Sequence, residues 1–428
     1  MSTQPATVTT TTPDDFDARV RFVTELAKQL HTYGTSAFRL EGAIGKVCRR
    51  LALDCDLWSN PTGMILSFRS GARNDDRGDE AALAFPERTL IVRLEPGGTD
   101  LGCLAAADGI AEEVVEGRLD AAAGYARLRA LARSAPLVPK WMYALTFAPA
   151  GAAVAALLRG GWAEIAASCG IGLLIGLLWW RAQRSRNLSV AFEALAALIA
   201  AFIAVCLHVL WTPLALTSVL VSSLIVLMPG MTLTTAVTEL ATQHLASGSA
   251  RFAGAITLLF KLAFGTAAGL AAAHLLVGEG LAAVATVPAP VWVEPLALLL
   301  AAAMFAVQFK TAWRDLPLVM GSAVLGYAVT RFVGAALGDA SGVFLAALVV
   351  GSTANIYARW RNRPGALVRV PGIILSVPGS VGFRTLILVF GGNLMSGLNT
   401  AVTLLLMLAA VVGGLLFGNL LVPPRRYL

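Results

Sequence analysis

Charge is scarce in this sequence. Only 14% of its 428 residues are Asp, Glu, Lys or Arg, against 57% hydrophobic, a balance that excludes the ordinary soluble classes. Histidine is scarcer, with four residues, and the five cysteines (48, 55, 103, 169 and 206) form no Cys-x-x-Cys pair. No metal site is therefore expected, and the cysteines read as reduced packing thiols. A phosphate-binding loop is missing too. The nearest match, Gly42-Ala-Ile-Gly45-Lys46-Val47, has the wrong glycine spacing and no Ser or Thr after the lysine. There is no Gly-x-Ser-x-Gly elbow and no HExxH motif. These absences speak against an ATP-driven pump, an enzyme and a cofactor, and leave an ion gradient as the default energy source. The opening MSTQPATVTTTTPDDFD has no apolar core, so no signal peptide is expected there. The net charge of +7 lies largely in short loops beside apolar runs, where positive-inside topology explains it without a nucleic-acid partner.

What is present is unevenly spread. Residues 1–140 hold most of the acids; residues 141–428 are dominated by Ala, Leu, Val and Gly. The expected domains are a disordered tail (1–14), a cytoplasmic α/β or α+β domain (15–140), and two five-helix transmembrane repeats (141–277 and 278–428). In the first domain, helical spacing of Val20, Val23, Leu26, Ala27 and Leu30 predicts a helix, and Phe38 to Leu51 a second. Gly63 to Phe68 and Thr89 to Leu94 read as strands around a charged loop, SGARNDDRGDE. Leu101 to Glu116 and Ala121 to Leu131 read as two more helices.

A span needs about 20 apolar residues. Spans are expected near 142–158, 162–180, 188–208, 212–229, 252–277, 293–310, 315–336, 340–358, 366–378 onward and 399–421. The basic segments Arg127 to Lys140, RAQRSR (181–186), Lys310 with Arg314, Arg359 to Arg363, and Arg425 with Arg426 then fall on one side, the cytoplasm. The loop 278–292 has no Lys or Arg and falls outside. An odd number of spans per half makes the halves inverted, a common architecture of secondary transporters. Gly172 and Gly176 have the spacing of tightly packed helices.

One stretch is too polar for its surroundings: Met228-Pro229-Gly230 through Arg251, with Thr232, Thr234, Thr235, Thr238, Glu239, Gln243, His244 and Ser247. A second copy begins at Val377-Pro378-Gly379. A shift of 149 positions places Pro229 on Pro378, Gly230 on Gly379, Leu245 on Leu394, Ser247 on Ser396 and Gly248 on Gly397. Matched Pro-Gly breaks in the two halves of a membrane protein point to a transport site. Proline ends a helix and glycine opens another, whose free first amides favour a carboxylate; the alternative is a pair of packing kinks. Other ionisable residues in apolar runs are Glu193, Lys261 and Arg384. Glu239 or Glu193 can carry a coupling proton or face an ammonium; Lys261 or Arg384 can pair with them or take a carboxylate. Structural ion pairs are the competing reading, and Arg251, opening a span, reads as interfacial. His244 is a candidate proton-linked group. Asn355, Asn393 and Asn399 read either as pathway lining or as polar contacts between helices. His208, His274 and Arg331 read as interfacial.

Leu30-His31-Thr32-Tyr33-Gly34-Thr35-Ser36-Ala37-Phe38-Arg39-Leu40-Glu41 resembles the N-terminal signature of the threonine/serine exporter family. The resemblance continues through Pro61-Thr62-Gly63, Asp108, Pro229-Gly230, Ser247 to Arg251 and Val377-Pro378-Gly379. It implies a proton-driven exporter of threonine and serine in a bacterial inner membrane, with ten spans and cytoplasmic termini. Two-subunit relatives resemble a dicarboxylate exporter, so an amino acid and a dicarboxylate both stand as substrates; a homo-oligomer is compatible with either. The cytoplasmic domain of the family has been likened to hydrolases, and a membrane-anchored hydrolase or sensor worked by residues 1–140 stands as the further alternative, but the spacing of His31, Ser36, Glu41 and Asp108 makes packing, capping and domain contacts the better reading.

Overall fold

The computed structural model describes residues 13–70, 88–278 and 287–424. Most of the expected tail, the charged loop after Ser70 and most of the loop 278–292 lie outside them. The chain divides between Ala135 and Pro136 into two compact units.

The first unit runs α1 (Pro13–Thr32), α2 (Ala37–Arg50), β1 (Leu53–Asn60), β2 (Gly63–Ser70), β3 (Arg88–Arg93), α3 (Leu101–Val115) and α4 (Ala121–Arg133). The strands form one antiparallel sheet in the order β1-β2-β3. Asn60 pairs with Gly63 across the Pro61-Thr62 turn. The first strand is not among those expected from sequence: LDCDLWSN carries two acids, and its apolar positions do not alternate cleanly. Asp54 and Asp56 instead take up Arg69 of the neighbouring strand, at 2.8 and 2.7 Å, and these bonds hold the Arg69 guanidinium above its ordinary pKa. Helices α3 and α4 start where Asp100 and Asp120 accept the amides of Cys103 and Ala123, the usual side-chain cap of free first-turn donors.

The second unit holds α5 (Lys140–Leu145), α6 (Phe147–Leu157), α7 (Trp162–Ala182), α8 (Arg186–Leu210), α9 (Leu216–Ser223), α10 (Gly230–Ala241) and α11 (Leu245–Val277). It continues with α12 (Val293–Gln308), α13 (Leu316–Leu337), α14 (Asp339–Arg361), α15 (Ala366–Ile374), α16 (Gly379–Phe390) and α17 (Leu394–Leu421). Among the described residues seven helices are long and apolar enough to cross a membrane, or eight when α9 and α10, bent by 53°, count as one broken span. This is fewer than the ten spans expected. The segment 142–158 is divided into α5 and α6, because Pro149 has no amide to return to the carbonyl of Leu145. Helix α12 spans 16 residues. The expected span 252–277 begins earlier, at Leu245, as a helix of 33 residues.

Small residues let these helices approach. Ala196, Ala197, Ala200, Ala201 and Ala204 of α8 are all fully buried. Gly172 and Gly176 of α7 face the carbonyls of Phe147 and Ala144, where a methyl would sit 2.6 and 2.0 Å from the oxygens. Close backbone approach of this kind is how helices gain contact in a solvent as apolar as themselves.

Candidate functional site

The two polar stretches fold alike. Pro229 precedes α10 with φ −80° and ψ 40°; Pro378 precedes α16 with φ −82° and ψ 36°. Each following helix has 12 residues. Behind Pro229 the Gly230 amide bonds to Met228 O and the Leu233 amide to Pro229 O; behind Pro378 the Gly379 amide bonds to Val377 O and the Gly382 amide to Pro378 O. At the far ends, Gln243 (φ 66°) and Gly392 (φ 81°) turn the chain through the left-handed region, and His244 and Asn393 open the next helix. The 149-residue offset thus holds bond for bond.

The two breaks also touch. A methyl carbon added at Gly379 would lie 2.9 Å from Gly230 Cα and N; one added at Gly230 would lie 2.6 Å from Val377 Cγ1. Only glycine permits this contact from either side. The first turns of α10 and α16 therefore start beside each other, and their leading amides find no acceptor within their own helices.

Just past each break lies a buried polar atom with no partner among the described residues: Thr234 Oγ1 in α10 and Arg384 Nε in α16. Buried donors are rarely left unmade. Thr238 donates to Thr234 O at 2.7 Å, Thr235 is half-buried and Thr232 exposed.

Glu239 is fully buried. Its Oε2 accepts from Ser247 Oγ at 2.8 Å, and Arg251 Nε approaches Oε1 and Oε2 at 3.2 and 3.1 Å. Arg251 is thus held in an ion pair with Glu239, the competing reading of such a charge; α11 begins six residues before it, which turns it back onto α10. His244 sits at the junction of the two helices, its Nδ1 2.9 Å from Thr242 O. Lys261 and Glu193 pair at 3.4 Å, and Lys261 Nζ donates to Val190 O at 3.2 Å. Asn393 is exposed at the end of α16 away from the break, about 18 Å along a 12-residue helix.

A cavity of about 330 Å³ adjoins the first break. It is lined by Tyr143, Phe147, Trp179, Ala182, Gln183, Ser189, Phe192, Glu193, Val226, Leu227 and Leu258. Gln183 belongs to the basic segment 181–186; Val226 and Leu227 lie immediately before Met228-Pro229-Gly230.

Several charges of this unit escaped the sequence reading. Arg369 of α15 is buried; it donates to Asn355 Oδ1 at 3.0 Å, and no carboxylate lies within 4.0 Å among the described residues. Asn355 in turn donates to Asn419 Oδ1 and Val422 O, at 2.9 and 2.8 Å, which makes it a contact between helices. Glu164 accepts the amides of Gly161 and Ala215. Glu294 gathers Arg159, Tyr327 and Arg331 at 3.3, 3.0 and 3.4 Å, so Arg331 is paired, as is Arg159. Asp315 binds both terminal nitrogens of Arg363 and holds that guanidinium above its ordinary pKa. Arg369 stands alone in ALVRVPGII, as Lys261 does in its own run, and the same test of a charge in an apolar run would have found it.

In the first unit, His31 Nε2 lies 3.1 Å from Pro61 O and 3.2 Å from Glu95 O, and Glu41 accepts the Ser59 amide at 2.9 Å. Both side chains hold loop and strand backbone in place.

Seven or eight apolar helices with two touching breaks and buried ion pairs define a polytopic membrane protein of the transporter class. The chain belongs to the threonine/serine exporter family: the profile described as "Putative threonine/serine exporter" matches residues 21–273, and "Threonine/Serine exporter, ThrE" matches 294–421. It is also similar to yeast proteins called pheromone-regulated membrane protein 10. Identity is 26% with that of Zygosaccharomyces rouxii (90% of this chain, 38% of the relative), 26% with that of Eremothecium gossypii (87% and 50%) and 26% with that of Saccharomyces cerevisiae (91% and 49%). The chain thus spans from over a third to half the length of these relatives. No solved structure matches it.

Proposed function

We propose that the chain exports small hydroxy amino acids, threonine and serine, across a bacterial inner membrane in exchange for protons. The membrane part is read as ten crossings: α5–α6, α7, α8, α9–α10 and α11, then α12, α13, α14, α15–α16 and α17. Five per half makes the halves inverted, with both termini and the domain 15–140 in the cytoplasm. The observation that carries the reading is the contact of Gly230 with Gly379, which puts two helix starts side by side, each followed within its first turns by a buried polar atom without a partner among the described residues, Thr234 Oγ1 and Arg384 Nε. Two positive helix ends and a guanidinium favour a carboxylate, and the hydroxyl suits a hydroxy side chain. Glu239, buried against Arg251, is the proton-linked group in this scheme, with His244 beside it.

The test is counterflow in proteoliposomes. Labelled threonine is expected to exchange against threonine and serine and not against succinate. Exchange of succinate in place of threonine would make the chain a dicarboxylate exporter. No flux of either, with ligand binding by residues 15–140, would make the soluble part the working one.

A further inference from the structure

The cavity beside the first break has a chemistry of its own. Tyr143, Phe147 and Trp179 form one aromatic wall, with ring centroids 4.7 Å apart for Tyr143 and Trp179 and 6.2 Å for Phe147 and Trp179. Glu193 is the one charged side chain among the lining residues, and no lysine or arginine lines the space. Its Oε2 is engaged by Lys261 at 3.4 Å, a long contact, and Oε1 has no hydrogen bond among the described residues. A carboxylate with a free oxygen beside aromatic rings attracts an organic cation twice, by charge and by the ring quadrupoles. The volume of about 330 Å³ lies at the small end of the roughly 300–1,000 Å³ of small-molecule sites.

The second half does not repeat the acid of this lining. Shifted by 149 positions, Glu193 falls on Gly342, where an added methyl carbon would lie 2.6 Å from Thr330 O and 2.8 Å from Gly334 N. Helix α14 therefore closes on α13 at that place. The carboxylate at the cavity is thus a departure from the repeat.

We propose that this cavity is a binding site for the primary ammonium group of a small solute, with Glu193 as the ion partner and Trp179, Tyr143 and Phe147 as the cation-binding wall. It reaches from Gln183 in the basic segment to Val226 and Leu227 at the break, so a solute held there has its ammonium fixed before its carboxylate meets the helix ends. This last step rests on the exporter reading; the ammonium site does not. Glu239 is excluded from the same role, because its oxygens are already taken by Ser247 and Arg251.

The test is isothermal titration of the purified full chain in detergent with 2-hydroxyethylammonium and, separately, glycolate. Binding of the ammonium is expected, weakened about tenfold in Glu193→Gln and in Trp179→Leu and about threefold or less in Trp179→Phe, which keeps a ring. Glycolate affinity is expected to be unchanged by all three. The site is overturned if the wild type binds no ammonium, or if Glu193→Gln and Trp179→Leu bind it as tightly as the wild type. Should Trp179→Leu fail to fold, Glu193→Gln alone decides. Ammonium binding without threonine counterflow would remove the exporter reading and leave the site; counterflow without ammonium binding would do the reverse.

Discussion

Glu239 and Arg251 illustrate what a single buried charge demands. A buried carboxylate survives only with partners, and removing one member of such a pair costs roughly 3–5 kcal/mol. Arg251→Leu is expected to lower the melting temperature by several degrees in a thermal-shift assay, since it strands Glu239. Glu239→Gln keeps a polar partner for Ser247 and is expected to fold. If Glu239 is proton-linked, that variant retains threonine counterflow and loses export driven by a pH gradient; loss of both together with folding would reduce the pair to scaffolding. Arg384 makes a different prediction. Arg384→Gln should raise the KM for threonine about tenfold, as expected for losing a charge-assisted contact, with no change in affinity for 2-hydroxyethylammonium. An unchanged KM would take Arg384 out of the carboxylate site. Much at this scale was legible: each polar residue in an apolar run was visible as such. Which of them are satisfied was not. Lys261 and Arg384 look alike in sequence, yet one meets Glu193 and the other leaves its Nε unbonded, because pairing depends on a helix 68 residues away.

At the scale of elements, the Pro-Gly breaks were readable because proline and glycine act locally, on the backbone that carries them. Their contact makes Gly230→Ala and Gly379→Ala costly: each methyl meets backbone or a packed side chain. Both variants are expected to melt several degrees lower and to lose counterflow. Gly254→Ala and Gly321→Ala, whose added methyls meet nothing within 4 Å, should melt at or above the wild-type temperature, since alanine favours a helix by about 1 kcal/mol. Equal melting of all four would mean that α10 and α16 do not touch. The elements the sequence concealed have physical explanations as well. Strand β1 hides behind two acids that are neutralised only when β2 brings Arg69 alongside. The α5–α6 division follows from Pro149, which an apolar count passes over.

For the molecule as a whole, the exporter reading requires inverted halves. In a cysteine-free background, Ser185→Cys is expected to react with an impermeant maleimide only from the cytoplasmic side, and Ala289→Cys only from the opposite side. Labelling of both from one side would break the ten-crossing scheme. The sequence by itself determined that this is a polytopic membrane chain, where its basic loops lie, and that two Pro-Gly breaks recur 149 positions apart. Composition, loop charge and backbone punctuation are local properties, and they survive without a fold. Only the tertiary structure decided that the two breaks touch, that Arg251 serves Glu239, that Arg369 is buried with no carboxylate beside it among the described residues, and that a cavity opens beside the first break. Those facts depend on which faces of distant helices meet, and small residues spread over hundreds of positions set that packing together.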